Sequence, residues 1–199
     1  PTSCLKLAVI KSGPFKGAIT DNPDYENQAY LGPNLGIFKA DENIHLTALV
    51  DELGLCGIQG GNVLGFAGEL YQRGIITKDD LKGIELKWGD IKAFTALTKM
   101  IAERKGIGDI FAEGTYRAAH QISKMKNVDV LPYVITEKGM AIGAHGIRSE
   151  EDYPSYESYA CSVQGGDHTS LAETPTEDGK GEFDSVFHDS AVICMFNTF

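Results

Sequence analysis

The side chains best suited to move a proton are Glu26, in Asp24-Tyr25-Glu26, and His168, in Gly165-Gly166-Asp167-His168. Carboxylate and imidazole pKa values can both be tuned toward neutrality, so the two form a proton-transfer pair wherever the fold brings them together. Each also has a plainer reading. Glu26 stands where a helix would begin, a common place for a solvated acid. The two glycines before His168 mark an unusual backbone path. A second pattern is an echo: Asp51-Glu52-Leu53-Gly54-Leu55-Cys56 and Asp189-Ser190-Ala191-Val192-Ile193-Cys194 repeat Asp and Cys at one spacing. Either this is coincidence, or it places two carboxylates at equivalent turns, each able to accept hydrogen bonds from a ligand's donors.

The four cysteines, Cys4, Cys56, Cys161 and Cys194, are far apart in sequence. They make neither a CxxC ligand pair nor a dense disulfide framework, and composition alone reads them as buried thiols in a reducing compartment. Gly60-Gly61-Asn62 is placed ahead of a helix, where exposed amides could meet an anion. Neither it nor Gly32-Pro33-Asn34-Leu35-Gly36 fits a nucleotide-binding pattern. Tyr153, Tyr156 and Tyr159 suit packing in a core or interface. No GxSxG elbow selects a hydrolase serine.

Helices must position most of these groups. Leu5–Lys11 reads as a short extended stretch, and a helix runs from Tyr25 to Leu31, stopping at Gly32-Pro33. Asp41 is expected to cap the next helix, whose apolar side is Ile44, Leu46, Leu49, Val50 and Leu53, with Gly54 as its stop. Further helices are expected from Asn62 through Tyr71 and, capped by Asp90, over Ile91–Glu103. Another is expected from Asp109 through Ile122, with a short strand at Ile84–Trp88 between the third and fourth. The second half is less regular, and a last helix begins near Asp189 or Ser190. The expected fold class is mostly α, multihelical, with minor short strands. Two regions are expected, 1–127 and a partial second helical region over 128–199.

Composition narrows the function. The chain has 199 residues, 42% hydrophobic, and a formal net charge of -10. That size can bury a substantial core. The negative charge, without any Lys/Arg cluster, argues against nucleic acid as a partner. No segment approaches the roughly 18 apolar residues of a membrane span, and the start lacks a signal peptide's pattern, so cytoplasmic residence is expected. A start at Pro1 and a last element so near the end suggest a processed or excised chain.

The order of the segments is more specific than any one of them. Ser12-Gly13-Pro14, Asp24-Tyr25-Glu26, Leu31-Gly32-Pro33-Asn34-Leu35-Gly36, Asp51-Glu52-Leu53-Gly54-Leu55, Gly60-Gly61-Asn62, Phe66-Ala67-Gly68-Glu69-Leu70-Tyr71, Leu86-Lys87-Trp88-Gly89-Asp90, Gly108-Asp109-Ile110-Phe111-Ala112-Glu113-Gly114 and Gly165-Gly166-Asp167-His168 follow one another along nearly the whole chain. Together they resemble the tungsten aldehyde:ferredoxin oxidoreductases and their relative, the tungsten subunit of benzoyl-CoA reductase. The resemblance implies paired helical domains around a tungsten bis-pterin cofactor (tungstopterin). Asp51, with Gly54 and Leu55, and Asp189 look like the residues that engage the pterins. Glu26 and His168 look like the active-site glutamate and histidine, with roles in proton relay and substrate orientation.

The family also holds a [4Fe-4S] cluster on three closely spaced cysteines and a distant fourth. Cys4 resembles the third and Cys194 the fourth, so the resemblance implies that the cluster is incomplete in this chain and that an N-terminal part of the parent enzyme supplies the other ligands. The implied partners are that missing part, ferredoxin or another electron-transfer subunit, and an aldehyde or aryl-CoA substrate. The chain departs from the family at Cys56, where Asp is common, and at Gln164, where Arg often precedes the glycines. Ala144-His145-Gly146-Ile147-Arg148 and Ala160-Cys161-Ser162-Val163-Gln164-Gly165-Gly166-Asp167-His168 together look more like the benzoyl-CoA reductase branch. The competing reading is an autonomous helical interaction domain that uses its acidic face and tyrosine-rich patch without catalysis.

Overall fold

The computed structural model describes residues 7–20, 24–144, 159, 165 and 166. Among these the fold is mostly α, with six α-helices and two small antiparallel hairpins. In the first hairpin β1 (Ala8–Val9) pairs with β2 (Ile19–Thr20), Ala8 opposite Thr20. It lies on the second helix, where Phe15 stacks on His45 at 4.1 Å between ring centroids.

Helix α1 (Tyr25–Leu31) is capped by Asp24, whose carboxylate accepts from the Tyr25 amide at 2.7 Å. It ends at Gly32, followed by a single 3-10 turn at Pro33–Leu35. Helix α2 (Ala40–Glu52) buries Leu46, Leu49 and Val50, and Gly54 follows it with a φ of 66°. Its cap is Lys39, not the expected Asp41, which falls in the first turn and there meets the helix's positive end. Helix α3 (Gly57–Gln72) begins well before the expected Asn62. Gly60-Gly61-Asn62 is therefore helical interior, and the anion-binding loop expected there does not exist.

Asp90 caps α4 (Ile91–Ala102) as its sequence predicts, accepting from Lys92 and Ala93 amides at 3.0 and 3.2 Å. Ile91, Phe94, Leu97 and Ile101 recur at helical spacing and all are buried. The helix expected from Asp109 through Ile122 is instead two, α5 (Ile107–Phe111) and α6 (Thr115–Lys126). The break falls at Gly114, whose φ of 83° is incompatible with a continuing helix. Ile84–Trp88 is not a strand, having no partner edge among the described residues. Side chains anchor it instead: Leu86 is buried, and the Trp88 indole N–H donates to Gln72 Oε1 at 2.6 Å.

One apolar core, including Leu31, Leu46, Leu70, Phe94, Leu97, Phe111 and Ile122, runs through these helices. After a 3-10 turn at Leu131–Tyr133, the second hairpin pairs β3 (Thr136–Glu137) with β4 (Met140–Ala141). Lys138 and Gly139 form its turn, both with positive φ, as a two-residue hairpin requires. No helix among the described residues is long and apolar enough to cross a membrane.

Candidate functional site

Helix α1 carries Glu26 in its first turn and Tyr30 one turn later, on the same face. Taken alone Glu26 reads as a solvated acid; in the fold it is 6% exposed. Its burial follows from α3, which approaches α1 closely through Gly61. A Cβ there would lie 2.5 Å from the Tyr30 Cβ, so only glycine permits the contact. On another side α1 meets the chain leaving β4. Glu26 Oε2 accepts from the Ala144 amide at 2.5 Å, and the Tyr30 hydroxyl donates to the Ile142 carbonyl.

The polar seam extends into α3 and α6. Asn62 donates to the Ile135 carbonyl at 3.1 Å and accepts from the Thr115 hydroxyl at 2.5 Å. Burial raises the Tyr30 pKa above that of an ordinary phenol; a hydrogen bond with Asn62 opposes this, and the nearby Glu26 carboxylate adds to it. Tyr30 therefore stays protonated and able to donate. Asn34 donates to the Gly61 carbonyl at 3.0 Å. Beside this seam lies a cavity of about 460 Å³ bordered by Tyr30, Ile142, Gly143 and Ala144. A second cavity, of about 360 Å³, is lined by Asn62, Thr115, Trp88 and Tyr133. The two share Asn34 and Ile135.

The hairpin β3–β4 also meets the glycines that precede His168 in sequence. A Cβ on Gly165 would sit 2.6 Å from the Glu137 carbonyl oxygen, and one on Gly166 would run into the Ala141 carbonyl. Both glycines are buried, and Gly165 has a φ of 70°. The same short hairpin thus touches the Gly165-Gly166 turn at Ala141 and, through its continuation, Glu26 at Ala144. Tyr159 is buried with Ile142, consistent with a packing role. Tyr153 and Tyr156 lie outside the described residues.

A third cavity, of about 280 Å³, opens between α2, α3, α4 and the α5–α6 junction. Gly54, Leu55, Cys56, Gln59 and Gly60 line one side, and Arg104 and Gly114 another. Three of these are glycines, at 54, 60 and 114, where an added Cβ would meet nothing within 4 Å. The cavity wall is therefore bare backbone on several sides, which leaves room for a flat ligand to approach main-chain amides. Asp51 and Glu52 occupy the last turn of α2, which contains no basic residue. Carboxylates at the negative end of a helix are unfavourable for stability. A ligand that donates hydrogen bonds would relieve that cost. Arg104 is held by Asp109 and Glu113, each at 2.8 Å. Cys56 is an exposed free thiol.

The structure thus separates two groups of the expected site residues: Glu26 on the α1 seam, and Gly54 and Leu55 on the wall of the third cavity, with Asp51 in the helix turn just before them and not itself on that wall. His168, Asp189, Cys4 and Cys194 lie outside the described residues, as does Cys161. Sequence reasoning passed over Tyr30, Asn62's true role, Thr115 and Ala144. Tyr30 had a signal, its spacing of four residues from Glu26 on one helix. Ala144 acts through its backbone and had none.

Comparison with known proteins gives concordant results. The family model described as "Aldehyde ferredoxin oxidoreductase, domains 2 & 3" matches residues 1–198. A protein of Pyrococcus furiosus named "Aliphatic sulfonate oxidoreductase, WOR-like subunit" is 59% identical over 198 residues, covering 100% of this chain and 32% of that protein. The "Tungsten-containing aldehyde ferredoxin oxidoreductase" of the same organism is 30% identical over 201 residues, covering 90% of this chain and 32% of its own length. Among solved structures, the "Active site complex BamBC of Benzoyl Coenzyme A reductase in complex with 1,5 Dienoyl-CoA" matches with a TM-score of 0.55 and 25% identity, over 69% of this chain and 20% of that one. The chain spans about a third of the length of the curated relatives it matches. It belongs to the aldehyde ferredoxin oxidoreductase family, to the region of that family's domains 2 and 3.

Proposed function

We propose that this chain is the central cofactor-shell region of a tungsten-pterin, iron-sulfur oxidoreductase. The observation that carries the reading is the convergence on one hairpin: Glu26 meets its continuation at Ala144, and the Gly165-Gly166 turn meets its body at Ala141. That geometry favours Glu26 and His168 acting on one substrate. The buried Glu26 receives or returns a proton at Oε1 or Oε2, while the Ala144 amide fixes the carboxylate's orientation. His168 is the complementary proton carrier and orients the substrate.

The residues around the third cavity fit one pterin. Bare backbone at Gly54, Gly60 and Gly114 would admit the ring system, Leu55 would pack on it, and Asp51 would accept from its ring nitrogens. Asp189 is the proposed counterpart for a second pterin. Bound there, a tungsten bis-pterin cofactor supplies the two-electron redox chemistry that side chains cannot. Cys4 and Cys194 are the proposed remnants of a [4Fe-4S] ligand set completed by chain outside this sequence. By this reading electrons pass to or from ferredoxin or a partner subunit, and the enzyme works in the cytoplasm. A division into regions 1–127 and 128–199 belongs to the same proposal.

For the substrate, the full-length relative at 59% identity is named for aliphatic sulfonates, whereas the relative at 30% is named for aldehydes and the structural neighbour, at 25%, for an aryl thioester. The weight of identity favours an aliphatic sulfonate or the aldehyde related to it over an aryl-CoA. The test is to purify the full-length protein, determine tungsten, pterin and iron, and follow reduction of a viologen by ethanesulfonate or acetaldehyde and, in the opposite electron direction, oxidation of a reduced viologen by benzoyl-CoA. Absence of both tungsten and molybdenum from a protein with intact fold would overturn the cofactor reading. Turnover of none of the three would overturn the substrate reading.

A further inference from the structure

We propose that Tyr30 is a positioning residue for Glu26: with Glu26 it forms a two-rung ladder that holds the chain after β4 in register with α1. The inference rests on the reading of Glu26 as the proton-handling carboxylate. Its geometry does not. One rung is the Tyr30 hydroxyl donating to the Ile142 carbonyl, and the other is the Ala144 amide donating to Glu26. From i to i+4 a helix advances about 6 Å, one turn along the same face. The donor and the acceptor set one turn apart on α1 meet an acceptor and a donor set two residues apart on the facing segment, at Ile142 and Ala144. The polarity is specific too. Glu26 can only accept when ionised, and Tyr30, kept protonated by burial, is the donor that the Ile142 carbonyl needs.

The second observation is how firmly the tyrosine rung is braced. Tyr30 is buried and its backbone abuts Gly61 of α3. Asn62, the next residue of α3, interacts with the phenol and is itself tied to Thr115 of α6 and to the Ile135 carbonyl ahead of β3. Two helices besides α1 thus fix the Tyr30 oxygen, while among the described residues the Ala144 amide is tied to the seam through the Glu26 carboxylate. If the tyrosine rung is lost, a buried carbonyl at Ile142 is left without its donor, and the segment must shift to satisfy it. That shift carries Ala144 away from Glu26. Tyr30 touches neither a reacting atom nor, in this reading, the cofactor, so its effect passes through the second rung.

The experiment uses the full-length, cofactor-loaded protein with Tyr30→Phe, Glu26→Gln and the double substitution. Tyr30→Phe keeps the ring and its packing. The first readout is amide hydrogen exchange across 140–144, which needs no substrate. The expected result is exchange at least about tenfold faster at Ala144 in Tyr30→Phe, with metal content unchanged. The second is turnover of whichever probe, acetaldehyde or ethanesulfonate, the wild type uses: kcat should fall about tenfold, with KM within about twofold. In the Glu26→Gln background the added Tyr30→Phe change should lower kcat by less than twofold. Unchanged exchange at Ala144 overturns the proposal, as does an equal loss of kcat in both backgrounds. Wild-type kcat in Glu26→Gln would overturn the proton-handling reading of Glu26 instead, and the exchange result would still decide whether the ladder exists.

Discussion

The apolar body formed by α2 to α6 and the polar seam between α1, α3 and the second hairpin are built on opposite logics. In the body, large side chains such as Phe94, Leu97 and Phe111 are sealed from solvent and identity matters mainly as volume. In the seam, Glu26, Asn62 and Thr115 are equally buried but make directional contacts, several of them to main-chain atoms across long sequence separations. A protein that needed only stability would gain little from such a seam, because buried polar groups at best offset their own desolvation. Its presence beside a cavity therefore points to chemistry, while the body's role is to keep that seam in place.

The sharpest way to break this contrast is at Glu26. Glu26→Gln keeps the shape and should lower kcat by about 10²- to 10⁴-fold in the full-length enzyme, the range for a lost general acid-base group. Its thermal midpoint should move little by comparison. Phe94→Ala should do the reverse. It should cost about 3–5 kcal/mol in chemical denaturation, as cavity-forming core truncations do, while the fraction that remains folded keeps its kcat. If Phe94→Ala instead abolished turnover in folded protein, body and seam would not be separable. Next in size, Asp90→Ala removes the carboxylate that caps α4 and should cost about 1 kcal/mol, read from the same denaturation curves, with no change in cofactor content.

Gly60→Ala tests the third cavity. A glycine inside α3 is costly to the helix, so the substitution should stabilise cofactor-free protein by about 0.5–1 kcal/mol. Because the added methyl projects into open space at the cavity wall, tungsten and pterin occupancy should fall. Unchanged occupancy would move the cofactor away from this wall. The smallest expected effect is at His45. Burial, helped by Lys99 and opposed by Glu52, holds its pKa below the ordinary imidazole value. Protonation therefore disfavours the folded state. The contribution is fully present above about pH 6.5 and declines as pH falls through the lowered folded pKa. Wild type should thus lose more stability than His45→Gln between pH 7.5 and 5.5, measured by denaturant midpoints.

What the sequence made legible follows the same division. Helix α1 could be bounded from Asp24 and Gly32-Pro33, and α4 from Asp90 and the recurrence of Ile91, Phe94, Leu97 and Ile101, because capping and periodicity are local. The start of α3 was missed because Gly57, Gly60 and Gly61 are poor helix formers. They are helical here because Gly61 must let α1 approach and Gly60 faces a cavity, which are tertiary reasons. The break at Gly114 was missed because the apolar spacing continues through it. Glu26 stood out by residue type and by family resemblance, yet its burial was invisible: α3 packs on its helix for tertiary reasons, and one of its partners is the amide of Ala144, more than a hundred residues on, which carries no side-chain signature.

The hairpin β3–β4 meets both halves of the proposed site through main-chain atoms: the carbonyls of Glu137, Ala141 and Ile142, and the amide of Ala144. Main-chain atoms are the same whatever residue is present. A side chain such as the exposed Met140 is thus released from holding the geometry. Mutation can redraw this strip of surface while the carboxylate and the glycine turn keep their places. For a chain whose relatives are named for aldehydes and for aliphatic sulfonates, that is a structural route to evolvability: a constant frame beneath a replaceable surface, open to selection one side chain at a time.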